Sequence, residues 1–340
     1  PAITGPAFSG IFVSVTTQVT APAGVLTISP SATAPEIADL EDQNLAWRTV
    51  ANDLLQGAAI ADLIKERAYG KVIALGIDNL YGRGLLNLVS QELGPELGED
   101  NFLNRTYPDP ASTNNVNLVE TVVAALDQMP DADAIAILGT SEAVQMMELF
   151  EEAIASSSTT AVDINYIFAD GGKSAAPGAI GRNNSLLSRI EGTEPFHENG
   201  DVFTNFNLRY LQEFGVPAPT FSANSYDGIY LIAFAASTLD AAQSITGSAL
   251  ATAMSRLVMG DKLSAQPNDF GRGRNLLSGG SDVDFDGASG TLDFDLTTGE
   301  AATDVALWVF EERGSNSFRD QRSGLYRLDD MGGGQWNFDQ

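Results

Sequence analysis

Short apolar runs constrain the fold of this chain more than any other feature. Residues 71–77, 134–138 and 166–169 are apolar at nearly every position. Strands of this kind are buried on both faces, which is typical of parallel sheets covered by helices. Helical periodicity lies between and before these runs, for example over residues 53–67 and 142–155. The alternation predicts βαβ units and an α/β fold.

The beginning of the chain follows the same plan. Residues 2–4 are followed by Gly5-Pro6 and then by Ser9-Gly10, which predicts a strand, a tight loop and a helix start. A second strand is predicted at 24–28, before another loop that contains Ser31 and Thr33. At 340 residues the chain is long enough for two domains. We therefore expect two Rossmann-like lobes, each with a parallel sheet flanked by helices.

The region near residues 291–310 has a different pattern. Residues 291–294 alternate in polarity and residues 304–310 are mostly apolar, with Thr297-Thr298-Gly299 between them. This pattern predicts antiparallel strands joined by a hairpin.

The charge balance excludes one class of partner. The chain has 45 acidic and 18 basic residues and a net charge of −27. Such a surface repels phosphate groups, so we expect no nucleic-acid partner. An acid-rich surface with few lysines also suits a salty medium. Because the chain has no cysteine, it has no disulfide and no thiolate metal site.

Catalytic and cofactor motifs are weak. Gly172-Lys173-Ser174 is similar to the end of a phosphate-binding loop, but Ile167 stands where that loop needs its first glycine. His197 is the only histidine, which argues against a serine-type triad or a two-histidine zinc site. No Gly-x-Ser-x-Gly pattern is present. We expect neither an enzyme nor a cofactor.

Seven short segments, taken together in their order and spacing, are specific enough to indicate a protein family. They resemble the branched-chain-amino-acid-binding proteins of bacterial ABC transporters, which are type I periplasmic binding proteins. The segments are Gly5-Pro6-Ala7-Phe8-Ser9-Gly10, residues 28–33, Arg48-Thr49, Gln56-Gly57, residues 78–84, Tyr226-Asp227 and residues 286–295.

The resemblance implies two lobes joined by three crossings, near residues 48–53, 195–201 and 283–287. Lobe 1 would comprise residues 1–52 and 200–283, and lobe 2 residues 53–199 and 284–340. The resemblance begins within the family's first lobe, because members have further strands and helices before the Gly-Pro loop. We expect other structure to fill the place of those strands, since a sheet edge left open there is unfavourable.

The loops that follow the first two strands are candidates for anion binding. Backbone N–H groups at the start of a helix attract a carboxylate. Ser9, Gly10, Ser31 and Thr33 lie at such loops, and the resemblance implies that they hold the carboxylate of the ligand. The alternative for Ser9, Ser31 and Thr33 is helix capping alone.

On the facing lobe, the resemblance implies Tyr81 and Thr140 as pocket residues and Asp170 as the partner of the ligand's ammonium group. Family members often have an aromatic residue at the position of Thr140, so the pocket is expected to differ in shape here. Phe221 matches another pocket position. The alternatives are a turn residue for Asp170 and packing residues for Tyr81 and Phe221.

A calcium-binding loop is an alternative interpretation of one acidic segment. Asp282, Asp284, Asp286 and Asp293 have the spacing of positions one, three, five and twelve of such a loop, with Gly287 at position six. The twelfth residue is Asp rather than the longer Glu, which weakens the match.

The resemblance implies an extracytoplasmic solute-binding protein that captures a small amino-acid-like zwitterion between its lobes for the membrane permease of an ABC importer. We expect a periplasmic or extracellular location, with a removed N-terminal segment as one means of lipid anchoring. Two rivals remain: a sensory ligand-binding module, and an extracellular interaction protein that has lost ligand binding.

Overall fold

The computed structural model describes residues 1–112, 116–156, 163–196, 200–240, 242–314, 317–328 and 333–339. The strands are β1 (Ala2–Thr4), β2 (Leu26–Ser29), β3 (Ala46–Arg48), β4 (Val72–Ile77), β5 (Phe102–Tyr107), β6 (Ala134–Leu138), β7 (Asn165–Phe168), β8 (Ile190–Phe196), β9 (Asp261–Ser264), β10 (Val283–Asp286), β11 (Phe294–Asp295), β12 (Glu300–Ala301), β13 (Asp304–Glu312), β14 (Phe318–Leu328) and β15 (Gly334–Phe338). The α-helices are α1 (Ser9–Val15), α2 (Asp53–Glu66), α3 (Leu80–Leu97), α4 (Leu118–Gln128), α5 (Glu142–Ser156), α6 (Ala176–Arg182), α7 (Gly200–Phe214), α8 (Ser222–Ser237), α9 (Gly247–Ala253) and α10 (Pro267–Ser278).

The chain divides into two compact units. The first unit is Pro1–Asn52 with Phe196–Thr303, and the second unit is Asp53–Pro195 with Asp304–Gln340. The last crossing therefore lies after Thr303, not near residues 283–287 as expected. The reason is strand pairing: β10 pairs with β9, and β12 pairs with β3, so all of these strands stay in the first unit. Residues 197–199, in the expected middle crossing, lie outside the described residues.

The main sheet of the first unit has the order β1-β2-β3-β12-β11. Strands β1, β2 and β3 are parallel, and β11 and β12 form a short antiparallel hairpin. On β2, Leu26 and Ile28 join a buried cluster with Phe234 of α8 and Leu250 of α9. The intervening Thr27 points to the other face and bonds Thr20. This alternation gives the sheet one helix-covered apolar face.

The sheet of the second unit has the order β15-β14-β13-β8-β7-β6-β4-β5. Strands β4 to β8 are parallel, and β13, β14 and β15 pair antiparallel. On β4, Ile73 and Leu75 pack with α4 and α5, whereas Val72 and Ala74 pack with α2 and α3. All six residues of β4 are buried because helices cover both faces.

The predicted fold class is confirmed: the protein is a mixed α/β protein with parallel sheets flanked by helices. The predicted hairpin around Thr297-Thr298-Gly299 is present between β11 and β12, and Gly299 has a φ of 67° there. The strand at 304–310 was expected to pair in that hairpin. Instead β13 pairs with β14 in the second unit. Among the described residues, no helix combines the length and apolarity needed to cross a membrane.

Candidate functional site

Three predicted site residues of the second unit lie together. Tyr81 follows β4, Thr140 follows β6 and Asp170 follows β7, so all three are at the carboxyl ends of parallel strands. The Tyr81 hydroxyl donates to Oδ1 of Asp170 at 2.8 Å. A Cβ placed on Gly171 would lie 2.4 Å from the carbonyl oxygen of Gly139, so only glycine allows these two loops to approach so closely.

Asp170 is the electrostatic centre of this cluster. Its side chain is buried, and burial raises the pKa of its carboxyl group to about 6. Hydrogen bonds from Tyr81 and Gln56 act in the opposite direction, and the charge of Glu194 adds to the increase. Burial also raises the pKa of Tyr81 well above its ordinary value, with a contribution from Asp170. Tyr81 therefore stays protonated and continues to donate to Asp170.

Thr140 is held by Glu142. The Thr140 N–H donates to Oε1 of Glu142 at 2.8 Å, and the Thr140 hydroxyl donates to Oε2. The hydroxyl of Tyr107 also donates to Oε1 at 2.8 Å. These bonds fix the loop after β6 beside Asp170, and they engage the hydroxyl proton of Thr140 within the loop.

Gln56 belongs to this cluster, although residue patterns did not select it. Its Nε2 donates to Oδ1 of Asp170 at 3.1 Å and to the carbonyl and hydroxyl oxygens of Thr193, each at 3.2 Å. Its side chain is fully buried. The only sequence signal was a polar residue among the apolar positions of α2, within the Gln56-Gly57 segment.

In the first unit, Ser9 and Ser31 connect two loops. Oγ of Ser9 accepts a hydrogen bond from the N–H of Ala34 at 3.2 Å, and Oγ of Ser31 donates to the carbonyl of Ala7 at 3.0 Å. Thr33 is 1% exposed, and its hydroxyl has no hydrogen-bond partner among the described residues. Thr33 is thus the free hydroxyl of the three predicted residues.

The capping alternative does not apply to these residues. Phe8 occupies the N-cap position of α1, and Ala34 occupies the N-cap position of the short 3₁₀ helix Pro35–Asp39. None of Ser9, Ser31 and Thr33 therefore stands at the N-cap of these helices. Gly10 is exposed in the first turn of α1. Phe221 is half-buried at the start of α8 with a φ of 67°, in the same unit. The ligand roles of all these residues stay predictions.

Arg48 holds the loop that carries Thr33. It is fully buried, and its Nη1 donates to the carbonyls of Ala32 at 3.1 Å and Ala34 at 2.8 Å. Its Nη2 forms a salt bridge with Glu300. A buried cation fixed in this way positions the loop, which sequence reasoning did not foresee.

The calcium alternative is not supported. Asp284 and Asp286 lie on strand β10 and pair with Lys262, while Asp282 pairs with Arg256. Asp293 accepts a hydrogen bond from Thr291. A calcium loop must curl around its ion, whereas Asp284 and Asp286 lie on an extended strand. Among the described residues, no group of three or more His, Asp or Glu could hold a metal ion. His197 lies outside the described residues.

Two α/β units with polar clusters at loops that follow parallel strands define a type I periplasmic binding protein, as the resemblance implied. The chain belongs to the family described as "Receptor family ligand binding region", which matches residues 2–309.

A curated relative adds detail. The chain is 27% identical over 298 residues to the "Chemotactic signal transduction system substrate-binding protein BasB" of Halobacterium salinarum. The match covers 86% of this chain and 65% of that relative, so this chain spans less than two thirds of the relative's length.

Solved structures show the same fold at low identity. A leucine binding protein, LivK, from Thermotoga maritima MSB8 has a TM-score of 0.67 at 17% identity, over 94% of this chain and 78% of that chain. The branched-chain amino acid transporter substrate binding protein LivJ from Streptococcus pneumoniae, in complex with isoleucine, has a TM-score of 0.63 at 18% identity, over 94% and 78% of the two chains.

Proposed function

We propose that this protein binds a small zwitterionic solute of the amino-acid type, and that it works outside the cytoplasm. One observation carries the proposal: Asp170 is a buried carboxylate, and its Oδ1 is held by Tyr81 and Gln56. A buried charge is unfavourable unless it is paired. An ammonium group is a suitable partner for Asp170, because it is cationic and carries several N–H donors.

The other end of the ligand is assigned to the first unit. The hydroxyl of Thr33 is buried and has no partner among the described residues, which suits a ligand carboxylate. A net charge of −27 also disfavours a purely anionic solute. We propose that the two units close on the ligand as hinged bodies and that ligand binding stabilises the closed state.

The occupied protein is proposed to dock on the membrane permease of an ABC importer, since structural neighbours are named as transporter components. A second candidate is chemotactic sensing, which the name of the Halobacterium relative favours. Neighbouring genes separate the two: a permease and an ATPase indicate import, and a signal-transducing receptor indicates sensing.

The test is isothermal titration with L-leucine and its des-amino analogue, 4-methylpentanoate. Asp170→Asn should weaken leucine binding by about 2–5 kcal/mol, because the ammonium group loses its charged partner in a dry site. Binding of 4-methylpentanoate should change little. The exposed Asp163, replaced by Asn, is the control for loss of one charge from the same unit.

Equal losses for the two ligands would mean that Asp170 shapes the loop without contacting the ammonium group. A wild-type protein that binds no α-amino acid, in titration or in a thermal-shift screen, would contradict the proposal and favour an interaction protein.

A further inference from the structure

The nitrogen of the Gln56 side-chain amide is fully hydrogen-bonded, whereas its oxygen has no hydrogen-bond partner among the described residues. Nε2 has three acceptors, Oδ1 of Asp170 and both oxygens of Thr193, all within 3.2 Å. Because a backbone carbonyl and a carboxylate only accept, the nitrogen of the amide must face them and the oxygen must face away. Oε1 is buried and has no hydrogen-bond partner in the described part of the chain.

The two carboxylate oxygens of Asp170 also differ in their hydrogen bonding. Tyr81 and Gln56 both donate to Oδ1, at 2.8 and 3.1 Å. No other side chain within the described ranges donates to this carboxylate, so Oδ2 is free of side-chain donors. Two oxygen acceptors, Oδ2 of Asp170 and Oε1 of Gln56, are therefore left on side chains that are bonded to each other. Oε1 of Gln56 is a buried acceptor without a donor, which is destabilising, so a ligand that supplies donors is favoured here.

We infer that Gln56 is a positioning residue for Asp170, and that its Oε1 accepts a second N–H from the same ligand group. The inference rests on the proposed function and makes it more specific. The second unit then selects a nitrogen that carries at least two N–H donors, such as a primary ammonium, over a tertiary or quaternary one.

The first measurement uses the wild-type protein, so it does not depend on the folding of a variant. Titration compares L-leucine with its N-methyl, N,N-dimethyl and N,N,N-trimethyl derivatives, which carry three, two, one and no N–H donors. The main loss of affinity, about tenfold or more, is expected between the N-methyl and N,N-dimethyl forms. Equal affinity for these two forms would overturn the inference.

The second measurement uses two variants. Gln56→Met removes both donor and acceptor, and Gln56→Glu keeps an acceptor oxygen but loses the donor to Asp170. At pH 8.5, Gln56→Met should weaken leucine binding by about tenfold, and Gln56→Glu should bind leucine more tightly than Gln56→Met. Binding of 4-methylpentanoate should be little affected by Gln56→Met. The exposed Gln91, replaced by Met, is the matched control.

A pH profile separates positioning from a merely structural role. The hydrogen bond from Gln56 lowers the pKa of Asp170, so in Gln56→Met the acid-side loss of leucine binding should begin at higher pH than in wild type. An unchanged midpoint, or equal losses for leucine and 4-methylpentanoate, would overturn the role of Gln56 while leaving the proposed function intact. Wild-type protein without affinity for any α-amino acid would overturn both.

Discussion

Ser289 donates twice to one oxygen of Asp227: its N–H and its hydroxyl both lie 2.6 Å from Oδ2. The N–H of Ala288 donates to Oδ1 at 2.8 Å. Asp227 is fully buried on α8, and a Cβ on Gly287 would lie 2.3 Å from Oδ2. This carboxylate therefore clamps the segment 287–289 onto α8, within the first unit.

The clamp should make stability depend on pH. Burial raises the pKa of Asp227 from 3.8 to about 7, against the effect of its hydrogen bonds. Between pH 3.8 and about 7, the folded state therefore binds more protons at Asp227 than the unfolded state does. The contribution of protonated Asp227 to stability is complete below about pH 4 and is lost as the pH rises through about 7. Relative to Asp227→Asn, the unfolding free energy of wild type should fall by about 1 kcal/mol per pH unit in this window.

Denaturant unfolding at several pH values measures this difference. Ser289→Ala removes a hydrogen bond that lowers the pKa of Asp227, so it should extend the window to higher pH. A difference between wild type and Asp227→Asn that does not vary from pH 4 to 7 would refute the prediction.

Arg48 should be important for both stability and binding. Arg48→Met leaves the carboxylate of Glu300 without its buried cation, which should reduce the unfolding free energy by about 3–5 kcal/mol. The double variant Arg48→Met with Glu300→Met should recover much of this loss. It should not recover ligand affinity, because the carbonyls of Ala32 and Ala34 still lack their donor.

The matched control is Arg83→Met. Arg83 pairs with Asp78 on the surface, with 58% and 47% of the side chains exposed, so its loss should change stability by less than about 1 kcal/mol. Full recovery of binding in the double variant would show that Arg48 does not position the loop.

Much of the fold was predictable because buried parallel strands such as Val72–Ile77 leave an unmistakable apolar run. Helix α10 was not predicted, since only Gly273 and Leu277 are buried on it and its sequence is rich in Gly and Arg. Strand β14 was missed because it is mostly half-exposed or exposed.

The candidate site was predictable only in part, for a different reason. Tyr81, Thr140 and Asp170 were implied by the family resemblance, and the structure places each of them directly after a strand. Gln56 and Arg48 act through partners that are 137 and 252 residues away, Thr193 and Glu300. Only the folded chain brings such residues together, so the segments Arg48-Thr49 and Gln56-Gly57 could support the resemblance but could not reveal these two roles.

Gly171→Ala should separate the loops that follow β6 and β7. The added Cβ would lie 2.4 Å from the carbonyl oxygen of Gly139 and 3.0 Å from Cα of Thr140, and backbone atoms cannot rotate away. We expect a loss of about 1–3 kcal/mol in stability and weaker leucine binding, because Asp170 moves with the loop.

Gly94→Ala is the control, since no atom lies within 4 Å of its added Cβ on helix α3. It should stabilise the protein by about 0.5–1 kcal/mol. Denaturant unfolding and leucine titration of both variants test the pair of expectations. Wild-type binding by Gly171→Ala would show that the close approach of the loops is not needed.

Salt should stabilise this protein. The net charge is −27, and like charges lie close together: Glu92 and Glu96, four residues apart on α3, share Lys65 at 3.7 and 3.6 Å. At physiological ionic strength the Debye length falls to about 8 Å, so repulsion between carboxylates that lie farther apart than this is screened. The ion pairs of Lys65 with Glu92 and Glu96 are in direct contact and keep most of their attraction. The melting temperature should therefore rise from low salt to 0.15 M sodium chloride (about physiological ionic strength).

Choline chloride should give an equal rise if screening is the cause, whereas an effect of sodium alone would indicate specific cation binding. A melting temperature that falls over the same range would show that ion pairs, and not the excess of negative charge, dominate the electrostatic energy.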